Sequence, residues 1–120
     1  MLRFLQFELQ QDDAESSTIE AMASVRKADV EALETEAKWL LKQLPIWLGT
    51  PPAPLDDGGE WDVWVQAHWD GQQPQSIDHR APDHWGNTPP PSDSSGWWTI
   101  TVTLVVTAGL APMLNAQLLD

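Results

Sequence analysis

Apolar residues recur along this chain with two different periods, and the change of period divides it into elements. Over residues 60–69 they alternate: Trp61, Val63, Val65, Ala67 and Trp69 share one parity, and Asp62, Trp64, Gln66 and His68 share the other. A spacing of two puts neighbouring side chains on opposite faces of a strand, so the segment reads as a β-strand with one apolar face. Residues 97–107 repeat the pattern, with Trp98, Ile100, Val102, Leu104 and Val106 set against Thr99, Thr101, Thr103 and Thr107. A first strand is read over residues 2–10, where Leu5, Phe7 and Leu9 face one way and Phe4, Gln6 and Glu8 the other.

A different period governs residues 16–44, which contain neither Gly nor Pro. Here Ile19, Met22, Val30, Leu33, Ala37, Leu40, Leu41 and Leu44 recur mainly at steps of three and four, which predicts a long helix stopped by Pro45. Glu20 in its first turn and Lys38 and Lys42 in its last turns suit the helix dipole. Glu34 and Lys38 form a favourable i,i+4 pair. Arg26 and Lys27 interrupt the stripe, so a break near Asp29, which could cap a second segment, is the competing reading.

Two irregular connections remain. Residues 45–60 carry prolines at 45, 51, 52 and 54 and then Asp56-Asp57-Gly58-Gly59, with Trp47 and Leu48 placed to tuck onto the core. Residues 70–96 form a long Pro/Gly-rich loop, well beyond the usual connection length and therefore a candidate functional segment. After the last strand, Gly109 breaks the pattern and Pro112 opens a short helix bearing Leu110, Met113, Leu114 and Leu118.

The resulting order is β-α-β-β-α. It predicts a single α+β domain over residues 1–120, built as a small three-stranded antiparallel sheet packed against one long helix. The second and third strands would pair as a hairpin carrying the long loop. One helix covers one sheet face; the other, holding Phe4, Trp64 and Trp97, needs cover from the loop, the short helix or a partner.

The chain's 120 residues match one domain, and its 42% hydrophobic content suffices for a modest core. With no cysteine, disulfides, thiolate metal ligands and cysteine nucleophiles are excluded. Residues 97–119 are uncharged over a membrane-spanning length, but their period of two, with Pro112, Asn115 and Gln117, points to a strand and a short helix. No signal-peptide pattern opens the chain. The expectation is a cytoplasmic protein with no membrane partner.

Charge changes the picture more. Eighteen acids against six bases give a net charge of −12. Arg80 is the only Lys or Arg after residue 45. Direct contact with nucleic acid needs a basic face and is disfavoured. A basic protein partner is favoured, since complementary charge steers encounter.

Eight tryptophans accompany two phenylalanines and no tyrosine. Trp61, Trp69 and Trp98 lie on the apolar parity of their strands and Trp39 sits beside Leu40 on the helix, so these four read as core. Trp64 and Trp97 occupy the opposite parity, and Trp85 falls in the long loop. Indoles outside the core stripe are typical binding anchors. The acids Asp56, Asp57, Asp62, Asp70, Asp78 and Asp83 surround them in the sequence and complete the expected partner-binding set.

Other chemistry is thinly represented. Asp78-His79 recurs as Asp83-His84, and His68 lies on the preceding strand, a weak set of candidate metal ligands in no established spacing. Ser76, Ser92, Ser94 and Ser95 sit in no nucleophile elbow. There is no phosphate-binding glycine loop or dinucleotide fingerprint, and no cofactor is implied. The sequence thus favours a non-catalytic inhibitor, such as a toxin-immunity protein or nucleic-acid mimic, that occludes a basic surface. A metal-binding module or metal-dependent enzyme on His68, His79 and His84, and a self-associating structural protein such as a homodimer, are the alternatives.

Overall fold

A computed structural model describes residues 3–12, 14–77 and 95–118. Five strands form one antiparallel sheet: β1 (Phe7–Asp12), β2 (Ser16–Arg26), β3 (Trp61–Trp69), β4 (Gln75–Ile77) and β5 (Trp97–Thr107), in the order β1-β2-β5-β3-β4. The helices are α1 (Val30–Leu48) and α2 (Ala111–Leu118). A three-stranded sheet is therefore the wrong description; the α+β class stands, with β5 at the centre of five strands.

The largest correction concerns residues 16–26, expected as the first turns of a long helix and found as strand β2. Ser17, Ile19, Ala21, Ala23 and Val25 are buried in alternation, while Met22 of the expected helical stripe points to solvent. Ala, Met and Glu favour helices in isolation, but a half-buried pleated surface beside a Thr/Val strand outweighs so weak a preference. β2 pairs with β5 along its whole length, from Ser16↔Thr107 to Arg26↔Trp97. The helix starts instead after a 3-10 turn at Lys27–Asp29, with Asp29 in the N-cap position but making no side-chain cap bond. The interrupted stripe placed a break here, but between two helical segments rather than between a strand and a helix.

At its other end α1 runs through Pro45, the expected stop, to Leu48. Pro45 removes one backbone donor, but burial of Leu48 holds the last turn. Gly49, at φ +79°, closes the helix in the left-handed conformation, and its N–H donates to Pro45 O at 2.8 Å. Lys38 and Lys42 consequently sit in the helix body rather than at its end.

The other differences are smaller. The first strand begins at Phe7; Leu5 and Phe7 are buried as expected, whereas Leu9 is exposed on the edge strand beside a register shift. Phe4 packs partly against the core instead of facing away from it. Trp39, expected in the core, is partly exposed and meets Trp47 edge-on at 5.9 Å. The expected loop 70–96 contains β4, which pairs with Val65–Ala67.

The core lies on one side of the sheet. Ile19, Val63, Val65, Ile100, Val102 and Leu104 from the strands meet Leu33, Ala37, Leu40 and Leu44 of α1 and Leu114 of α2. Trp61, Trp69 and Trp98 join them, as their parity predicts.

Candidate binding face

With both helices on the core side, the opposite sheet face carries no helix among the described residues. Strand register assembles that face in rows. One row runs from Glu8 on β1 through Glu20 and Thr103 to Trp64 on β3. The next holds Met22, Thr101 and Gln66, and the next Ser24, Thr99 and His68. Toward the far end Arg26 faces Trp97.

Three large apolar side chains stand out of this face: Met22 is 62% exposed, Trp64 52% and Trp97 40%. Parity alone identified the two tryptophans. Met22 and Glu20 were missed as members of the face because residues 16–26 read as helix, whereas the parity of the first strand had already set Glu8 opposite the core side; the alternation of Ile19, Ala21, Ala23 and Val25 was the signal that could have found the other two.

The two ends differ chemically. At the Trp97 end, the Arg26 guanidinium lies over the indole at 4.2 Å from its centroid and donates from Nη1 to Ser95 O at 2.6 Å. The Ser95 hydroxyl donates to Asp70 Oδ2, and the Asp70 N–H donates to Trp97 O at 2.8 Å. Asp70 is thereby tied into the turn next to Trp97.

At the Trp64 end, Asp62 lies two residues away on the same strand face and its Oδ1 accepts the Val63 N–H at 2.9 Å. A groove of ≈ 490 Å³ opens here, bounded by the 3-10 turn Leu55–Asp57, by Asp62 and Trp64, and by Val105 and Thr107 of β5. Asp56 lines it; Asp57 is exposed on the same turn but does not.

Between the ends, Ser24 Oγ and Thr99 Oγ1 lie 2.6 Å apart beside the half-buried His68, and Thr103 Oγ1 donates to Glu20 Oε2 at 3.3 Å. Thr99 is buried, although it lies on the open face.

Of the sequence-derived site residues, Trp64 and Asp62 come together with Asp56 at one end, and Trp97 with Asp70 at the other. Trp85, Asp78, Asp83, His79 and His84 lie outside the described residues. Among the described residues no three His, Asp or Glu side chains converge as metal ligands, and no helix is long and apolar enough to cross a membrane.

Compared with protein-family models, curated proteins and solved structures, the chain matches none of them. The geometry of the face is what a functional reading has to work with.

Proposed function

We propose that this chain is a non-catalytic protein-binding domain that docks the open face of its sheet onto a basic partner and acts by occluding that surface. One observation carries the reading: Met22, Trp64 and Trp97 are exposed on a face whose helix-free surface also bears Glu8, Glu20 and Asp62. Exposed aromatic side chains of this size bury large areas at small entropic cost when a partner covers them.

Electrostatics supports the same partner. Glu8 and Glu20 stand directly opposite each other on neighbouring strands, a like-charge pairing that opposes sheet formation and that cations from a partner relieve. The net charge of −12 steers a basic protein toward the domain at long range. Within this class, an inhibitor of the immunity-protein or nucleic-acid-mimic kind fits best, because occlusion requires a complementary surface and no catalytic group.

Affinity capture with the full chain at ~50 and ~300 mM salt tests the proposal, since screening weakens exposed charge pairs. The expected result is a basic protein retained at low salt, shed at high salt and not retained by Trp64→Ala. Retention of the same proteins by the wild type and Trp64→Ala would overturn it.

A further inference from the structure

We infer that the groove beside Trp64 is a receptor for an arginine side chain of the partner. The inference rests on the docking reading above and names the side chain that anchors it. A guanidinium is planar, stacks on aromatic faces and pairs with carboxylates through a rigid fork of donors. Its three methylenes need an apolar channel. The groove supplies each requirement: the Trp64 indole as a platform, Asp62 and Asp56 as carboxylates, and Leu55, Pro54 and Val105 as apolar wall.

The same face already contains this chemistry in intramolecular form. At its far end Arg26 stacks on Trp97 at 4.2 Å and spends a donor on the Ser95 carbonyl. Trp64 is the counterpart indole at the near end, and among the described residues no Lys or Arg lines its groove. Asp56 and Asp62, with Glu15 also lining the groove, are in place to receive a cation from a partner. Lysine fits less well, because a compact, strongly hydrated ammonium has no plane to lay on the indole.

The groove is also rigidly framed. Ala53 N–H donates to Trp61 O at 3.0 Å and Trp61 Nε1 donates to Thr50 O at 2.9 Å, pinning the segment before the Asp56 turn to β3. Gly59 lies so close to the Ala53 carbonyl that an added Cβ would sit 2.2 Å from its oxygen. A receptor that needs no rearrangement loses less binding energy to ordering.

Titration of the full chain with blocked hexa-arginine and hexa-lysine peptides at low salt tests this. Trp64→Leu removes the platform. Asp62→Asn removes one charge and keeps the oxygen that accepts the Val63 N–H, so it stays informative if Trp64→Leu is poorly folded. Glu31→Gln, an exposed acid in the first turn of α1 on the opposite side of the sheet, is the control.

The expected result is tighter binding of hexa-arginine than of hexa-lysine, and an affinity loss of about tenfold in each groove variant from losing a stacked or charge-assisted contact. Glu31→Gln should change affinity by less than about threefold, as for a single exposed charge. If the wild type binds both peptides equally, or if neither groove variant weakens hexa-arginine binding, the arginine receptor is wrong and the basic-partner reading survives. If the wild type binds neither peptide, both fall.

Discussion

The backbone N–H of Leu5 donates to Glu36 Oε2 at 2.7 Å, joining the segment before the edge strand to the middle of α1. The Phe4 N–H reaches both oxygens of the same carboxylate, at 3.1 and 2.9 Å, and the Arg3 N–H donates to Oε1. Residues 3–6 precede the sheet, so their donors have no ladder partner, and one buried side chain satisfies three of them in succession.

Glu36→Ala should therefore destabilise the domain by about 2–3 kcal/mol, the cost of leaving a buried donor unsatisfied and losing a charge-assisted bond. Glu36→Gln, which retains an acceptor, should cost less. Denaturant unfolding measures the difference, and hydrogen exchange at the Phe4 and Leu5 amides should accelerate in the Ala variant. An unchanged midpoint would show that the tie contributes nothing.

The strand character of residues 16–26 has a sharp mutational signature. Ile19 is fully buried and Met22 is exposed, whereas a helix carrying both on one stripe would bury both. Ile19→Ala should cost about 3 kcal/mol by cavity formation, and Met22→Ala less than about 0.5 kcal/mol. Equal losses at the two positions would restore the helical reading.

Why one strand was legible in the sequence and another was not follows from these residues. In β3 and β5 most of the alternating apolar positions are Trp, Val and Ile, with Thr between them in β5, and their local preference agrees with their final pairing. In β2 they include Ala21, Ala23, Glu20 and Met22, which prefer helix, and only β5 alongside decides otherwise. The β4 strand has three residues and owes its conformation to Val65–Ala67, so nothing local marks it. Trp64, Trp97 and Asp62 were legible because parity fixes a face once a strand is recognised. The Asp56 side of the groove was not, because it depends on how a proline-rich connection folds back against Trp61.

Glu34 makes stability depend on pH. Burial pushes its carboxyl above the usual carboxylate range; Lys38 pulls it down and Glu31 pushes it up further. Its Oε1 is buried without a hydrogen-bond partner among the described residues. The native state then holds this proton to higher pH than the unfolded chain does. Glu34's contribution to stability is fully present below the unfolded pKa and is lost as pH rises through the folded one. Glu34→Gln should be more stable than the wild type at neutral pH and should lack that decline. Thermal unfolding across pH 4–8, a span bracketing the ordinary carboxylate and neutral ranges, checks both. A Gln variant less stable at neutral pH would contradict the assignment.

Gly59 has no space for a side chain, because Ala53 O would lie 2.2 Å from a new Cβ. Gly59→Ala should force the turn away from β3 and destabilise the domain by about 1–3 kcal/mol, in the range of overpacking. Peptide binding at the Trp64 groove should weaken with it, since Asp56 moves with the turn. Normal stability and normal binding in this variant would show that the turn yields freely.

Footprinting of the complex with a captured basic partner tests most directly which surface docks. On partner binding, oxidative labelling should fall at Met22, Trp64 and Trp97, on the open sheet face, and remain unchanged at Trp39 and Trp47 on the helix side. Protection confined to Trp39 and Trp47, with Met22 and Trp64 still labelled, would contradict docking through the sheet.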